Sequence, residues 1–413
     1  MGYQQGLSGL SGASNALDVI GNNIANANTV GFKSSTAQFA DMYANSVATS
    51  TNTQIGIGTR LNSVEQNFGQ GGITTTNSSL DVAINGNGFF QMSNNGVTTY
   101  SRDGTFQRDK NGFIVDSQGR NLMGYAANAG GVINTAQTVP LQAPTTNLAP
   151  TATTKISAQF NLNSQDTVPT KTPFNATDNT TYNYSTSIQV YDSLGGSQAV
   201  NMYFVKSAAG TWEAYAGVQG GATNDLGTVT FNSSGAILST TTGTPATPTT
   251  SLGQFQFTVP NTDGSATPQN LTLDLTGTTQ YGGKDGVNNL AQDGFASGTL
   301  TTYTIGTDGK LTGNYSNGQT SVLGQIALAN FNNPNGLVNL GGNQYAESSA
   351  SGVPQISAPG STNHGTLQGS ALESSNVDLT SQLVNLITAQ RNYQANAQTI
   401  KTQQTVDQTL INL

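Results

Sequence analysis

The stretch NNIANANTVGFKSS, Asn22 to Ser35, follows a run of apolar residues at helical spacing. Four of its residues are asparagine, and Lys33 carries its only charge. Asparagine side chains bond to nearby backbone groups and tolerate left-handed turns, which suits a helix end. Gly31 is expected to be the left-handed stop and Phe32 an anchor onto the next layer. Alone, such an ending would cap a helix in any globular protein, so its meaning depends on what the helix packs against.

Upstream, Tyr3, Leu7, Leu10, Leu17 and Ile24 keep a four-three spacing, with Ser14 and Gly21 in the gaps; Ala13, Ala16, Ile20 and Ala27 widen the stripe. This predicts an amphipathic helix with a narrow, small-residue seam. Four glycines precede Ala13, each costing about 0.8–1 kcal/mol against alanine, so the helix needs cover. The other end of the chain supplies a counterpart. From Asn376 to Leu413 there is neither proline nor glycine. Ser375 and Asn376 are plausible N-caps, with Asp378 in the first turn. Leu379, Leu383, Leu386, Tyr393, Ala397 and Ile400 keep heptad spacing with Gln390 as a polar member, Ile387 lies alongside, and Val406, Leu410 and Leu413 resume the phase after a slip. Either each helix covers a separate core, or the two cover each other. Pairing is the stronger expectation, since no other long helical pattern exists and a buried aliphatic side chain is worth roughly 1.5–3 kcal/mol.

Everything between must then leave the pair and return to it. The middle of the 413-residue chain reads as strands and turns. DVAINGNGFFQM (Asp81 to Met92) is expected to form a hairpin at Asn85-Gly86 or Asn87-Gly88. Tyr100 to Tyr125 reads as a β-meander. The Thr/Pro-rich stretch Thr138 to Thr154 marks a domain boundary. A second all-β unit follows, with Asp192 to Gly196 turning between two strands and a far edge near Tyr281 to Asn289. The fold class is α+β, mainly β.

Charged residues make up only 8% of the chain, against roughly a quarter in an average soluble protein. A net charge of −8 offers no basic stripe for nucleic acid. With no cysteine, disulfides and thiolate metal sites are excluded. His364, the one histidine, sits in a glycine-rich loop and is expected to be solvated; one histidine and carboxylates make a poor zinc site. Gly86-Asn87-Gly88 and Gly56-Ile57-Gly58 fall short of a phosphate loop. Trp212 reads as packing. The start lacks a basic region and apolar core, so a cleaved secretory signal is not expected. Nothing points to an enzyme, a cofactor, a metal or a small-molecule substrate.

These residues carry a resemblance. NNIANANTVGFKSS, through Asn22, Asn23, Asn26, Thr29, Gly31, Phe32 and Lys33, resembles the N-terminal signature of the bacterial flagellar axial family of rod, hook and hook-associated proteins. VDLTSQLVNLITAQRNYQANAQTIKT (Val377 to Thr402) resembles that family's C-terminal helix. DVAINGNGFFQM is similar to the start of its shared β-domain, and VYDSLGGSQAVNMYFVK with the chain length resembles the hook-type members. The resemblance implies nested layers: an inner helical domain, coiled-coil-like (1–30 plus 371–413), a connecting segment (31–72 plus 358–370), an inner β-domain (73–145 plus 288–357) and an outer one (146–287), the β-domains being barrels or sandwiches. It implies self-assembly through Leu7, Leu10, Leu17, Ile20 and Ile24 with Leu379, Leu383, Leu386, Ile387, Tyr393, Ala397, Ile400, Val406 and Leu410, giving a curved tube that passes motor torque from rod to filament. The implied partners are further copies of the chain, the distal rod protein, the hook cap, the hook–filament junction protein and the flagellar type III export apparatus, which delivers the subunit to the extracellular hook. QFADMY resembles an export-gate motif through Phe39 and Tyr43. A distal rod subunit is the near alternative, and a secreted β-rich adhesin or carbohydrate-binding protein the alternative from another class.

Overall fold

A computed structural model of the chain describes residues 2–43, 56–128, 130–242, 247–249, 251–261 and 263–411. Two α-helices, α1 (Gly2–Ala25) and α2 (Leu379–Ile411), bracket a chain that is otherwise strands, turns and one 3-10 turn at Pro334–Gly336 among the described residues. The mainly-β class with helical ends holds, although among the described residues the sheets stay open and none closes into a barrel. The chain divides into two compact units, Met1–Thr145 with Thr301–Asn314 and Thr320–Leu413, and Thr146–Leu300 with Tyr315–Gln319.

In the first unit, strands far apart in sequence close the nest. Ile73–Thr75 pairs with Ala371–Glu373, and Val82–Asn85 pairs with Thr366–Gly369. That pairing overturns the hairpin expected at Asn85 to Gly88. Val82–Asn85 is taken by the returning chain, and Gly86 instead lets the backbone pass Gly365, whose Cα would lie 3.2 Å from an added Cβ. The hairpin forms one step later. Asn95 and Gly96, both with positive φ, join Phe89–Asn94 to Val97–Ser101, as a two-residue turn with both central residues left-handed requires. Short strands then run on through Ile114–Val115 to Asn121–Ala126. Val82, Ile84, Phe90, Met92, Leu122 and Ile326 fill the main core. A second cluster stacks Phe68, Phe89, Tyr100, Phe331 and Tyr345 edge to face, the geometry that ring quadrupoles favour.

The second unit is built on strict alternation. In Lys155–Asn163 the residues Ile156, Ala158, Phe160 and Leu162 are buried and their neighbours are not, so one face meets the core. This strand runs parallel to Gln269–Asp274 and Thr279–Tyr281 and antiparallel to Gly286–Gln292. A six-stranded antiparallel meander begins with Tyr184–Tyr191 and Ser197–Ala208. The turn between them is held by Asp192, whose carboxylate accepts the Leu194 and Gly196 N–H groups at 2.8 and 2.9 Å. Trp212 is wholly buried in this unit's core with Phe160, Phe204 and Phe255, which removes it as a sugar platform.

Candidate assembly site: the helix pair and its corner

α1 and α2 pack antiparallel, and three contacts fix which positions face. A Cβ on Gly6 would lie 2.9 Å from Ile400, and one on Gly9 would lie 2.7 Å from Asn396. Asn23 donates to the Gln382 side chain at 3.4 Å. The positions of α1 that these contacts bring against α2 are Gly6, Gly9 and Asn23, and Gly6, Gly12, Ala13 and Asn23 are its buried ones; on α2 Ala389 is buried and Gln382, Leu386, Asn396, Ala397, Ile400 and Gln403 are half-buried. Gly6, Gly9 and Asn23 each stand one residue before a member of the expected stripe, Leu7, Leu10 and Ile24. Ala13, Leu386 and Ile400 belong to the expected set as well, and Ala16, Ile20 and Ala397 of that set are half-buried. Leu7, Leu379, Leu383, Ile387, Tyr393, Val406 and Leu410 are exposed, while Leu10, Leu17 and Ile24 are half-buried. The physical reason is approach distance. Glycine and alanine let the helix axes come close, so larger side chains of α2 sit directly over α1 backbone. Leu413 lies outside the described residues.

The opening stretch forms the corner where α1 gives way to the β-layer. α1 stops at Ala25 rather than at Gly31, tightening into short turns through Ala27 N–H to Ile24 O (3.2 Å) and Thr29 N–H to Asn26 O (3.1 Å). Asn26 donates to Asn22 O at 2.9 Å, and Thr29 donates to the Asn26 side chain at 3.1 Å. Asn23, almost wholly buried, acts as a bracket: its Nδ2 donates to Ser35 O at 2.7 Å and its Oδ1 accepts Ser35 N–H at 2.9 Å. Gly31 has φ +69°, and a Cβ there would lie 2.7 Å from Asp103 N, so only glycine lets the chain press on that backbone. Phe32 is half-buried; the side chain driven fully inside is Lys33.

Lys33 ends on Glu373. Its Nζ lies 2.7 Å from Glu373 Oε1, both side chains having no exposed surface, and it also donates to Gly69 O at 2.9 Å. Arg102 reaches Glu373 Oε2 at 3.3 Å and lies over the Phe89 ring, 5.2 Å from its centroid. Gly71 N–H adds a bond to Glu373 Oε1 at 2.8 Å, and the Glu373 carbonyl accepts Gly31 N–H at 2.8 Å. Burial and the neighbouring Arg102 push the Lys33 ammonium below the usual lysine range, against the pull of Glu373. Burial likewise lowers Arg102. One carboxylate thus holds two buried cations.

Asn376 stitches the same corner from the other side. It accepts Ser34 N–H at 2.7 Å and donates to Asn67 O and Gly69 O at 2.7 and 3.0 Å. It is therefore not the cap of α2, nor is Ser375. That role belongs to Asp378, which accepts Thr380 N–H at 2.9 Å and Ser381 N–H at 3.3 Å. Sequence reasoning missed Glu373 and Arg102, since no local pattern marks an ion pair whose members are 340 and 271 residues apart. The one available signal was the scarcity of charge itself.

Phe39 lies on the strand Ser35–Tyr43, which pairs with Gly56–Gln66 beside α1. A Cβ on Gly12 would be 3.6 Å from its ring. Tyr43 closes that strand opposite Gly56, and its side chain lies outside the described residues. His364 is buried rather than solvated, its ring nitrogens 3.2 Å from Ser361 O and 2.9 Å from Gln355 O. Among the described residues no group of His, Cys, Asp and Glu is placed to hold a metal ion.

Comparison with known proteins places this helix pair and nested β-layers in a class. Residues 4–33 match the flagellar basal body rod protein family, 83–159 the flagellar hook protein FlgE/F/G D1 domain, 161–295 the flagellar basal body protein FlaE D2 domain, and 368–413 the flagellar basal body rod FlgEFG protein C-terminal family. The chain is thus an axial protein of the bacterial flagellum. The flagellar hook protein FlgE of Salmonella typhimurium is 42% identical over 100% of both chains, and that of Escherichia coli 41% over 100% of both. FlgE of Treponema pallidum is 31% identical over 99% of this chain and 98% of its own. The chain belongs to the flagellar hook protein FlgE family. A crystal structure of the Helicobacter pylori hook protein FlgE2 shares the fold, with a TM-score of 0.51 at 15% identity over 73% of this chain and 100% of that one.

Proposed function

We propose that the chain polymerises through its terminal helix pair into the curved tube of the hook, a structural and non-catalytic role in which motor torque passes from rod to filament. The observation that supports this reading most is the buried corner at Glu373, which ties the helix pair rigidly to the β-layer while apolar residues remain exposed along α2. In this reading the layers are 1–30 with 371–413, 31–72 with 358–370, 73–145 with 288–357, and 146–287, except that 288–300 go with the outer layer, since Gly286–Gln292 pairs with Lys155–Asn163. The helices bear axial load and twist. The weakly charged β-surfaces slide as protofilaments lengthen and shorten, since few charge pairs must break. The chain's neighbours are its own copies, with the distal rod protein, the hook cap and the hook–filament junction protein at the ends of the tube.

Removal of Val377 to Leu413 is the direct test. The truncated chain is expected to form no tubes under electron microscopy, with the fluorescence of Trp212, buried in the second unit, unchanged. Tubes of normal form from that chain would overturn the reading.

We also infer delivery by the flagellar type III apparatus, with Phe39 and Tyr43 read as an export-gate motif in the unfolded chain. Phe39 remains 42% exposed beside Gly12 in the folded chain. Phe39→Ala is expected to reduce the subunit reaching the medium several-fold at an unchanged cellular level. Undiminished export would remove the assignment.

A further inference from the structure

α2 carries two unlike flanks. Leu379, Leu383 and Ile387 are between 45 and 51% exposed and form an aliphatic stripe on its first turns, with Val384 at its edge. The other flank, with Asn385, Thr388 and Asn392, walls a groove that α1 and the strand Ser35–Tyr43 complete. The groove comprises two cavities of about 270 and 410 Å³ that share Ala16, Phe39, Ala389 and Asn392. Among the described residues no charged one lines either cavity, and the stripe carries none. At ~100° per residue, stripe and groove wall lie on roughly opposite sides of α2.

We propose that the aliphatic stripe of one copy seats in the Phe39 groove of the next. This rests on the self-assembly reading above and specifies the contact. The occupant is a second copy because the chain itself carries the matching surface: uncharged, aliphatic, and aimed away from its own groove. The small residues Ala16 and Ala389 leave room for leucine and isoleucine side chains, and Phe39, 42% exposed, gives the groove an apolar lip. Two unlike patches on opposite flanks make a heterologous contact, which repeats from copy to copy instead of closing into a dimer. A stripe-to-stripe contact would pair two copies and stop. An open-ended tube needs the former.

The chain has no cysteine, so engineered pairs report without background. Leu383→Cys with Thr388→Cys places one thiol on each flank, where they cannot meet within one helix; Ile387→Cys with Asn392→Cys is a second, independent pair. In oxidised polymers each double variant is expected to give a ladder of covalent multimers, and each single variant only monomer. Mixed single variants are expected to stop at dimers. Tubes without a ladder in either pair overturn the proposal and leave self-assembly intact. Dimers from Leu383→Cys alone overturn it too, as stripe then meets stripe. Absence of tubes from the unsubstituted chain overturns both readings.

Discussion

Glu373→Gln is expected to destabilise the first unit by about 3–5 kcal/mol, because two buried cations lose their shared anion. Lys33 and Glu373 side chains have no exposed surface, so water cannot take the carboxylate's place, and the Gly71 N–H bond to Glu373 Oε1 is weakened with it. The two units allow the loss to be localised. Trp212 is the only tryptophan and lies in the second unit. Its fluorescence midpoint in denaturant should stay where it is while the far-UV circular dichroism of the helices moves to lower denaturant. Combining Glu373→Gln with Lys33→Met should recover part of the loss, a coupling that a double-mutant cycle measures. A helical transition shifted by less than about 1 kcal/mol, the scale of an exposed pair, would show that the corner is not held by this cluster.

The second large effect is expected at the helix seam. Gly6→Leu with Gly9→Leu should abolish tube formation, although each change raises the intrinsic helix propensity of α1 by almost 1 kcal/mol. The added side chains meet Ile400 and Asn396 at 2.9 and 2.7 Å already at their Cβ positions, and overpacking of this kind typically costs 1–3 kcal/mol per site. Asn396 approaches Gly9 with the far end of its side chain, so Gly9→Ala should be mild. Gly21 is the internal control, since nothing lies within 4 Å of its Cβ position. Gly21→Ala should keep the tubes and add about 0.8–1 kcal/mol. Tubes from the double leucine variant, seen by electron microscopy, would show that close approach of the helices is dispensable.

Both helices were legible from periodicity, but their facing positions were not. Leucines at Leu7, Leu379 and Leu383 dominate a count of apolar residues, whereas the structure puts Gly6, Gly9 and Ala389 at the seam. Periodicity records which faces avoid water in the whole life of a protein, including faces left open in a single chain, and it gives no weight to glycine. Strand alternation in the second unit was plain because one face of Lys155–Asn163 is buried and the other is not. The hairpin was misplaced because Asn85-Gly86 and Asn95-Gly96 share the same turn chemistry, and only the returning strand Thr366–Gly369 decides between them. Gly31 is left-handed as expected, but α1 already stops at Ala25, and the glycine serves the close approach to Asp103 instead. Glu373 and Arg102 were out of reach, because their meaning lies in a partner hundreds of residues away.

That distance also fixes an order of events. In the proposed delivery with the N-terminus first, Lys33 emerges early and its carboxylate arrives 340 residues later, ahead of the helix that covers Gly6 and Gly9. Until then α1 has no seam to fill and Lys33 no counter-charge to justify its burial, so the inner domain cannot set prematurely. Under that order of delivery the corner acts as a completion signal: rigidity is granted to the first residues only once the last ones are present.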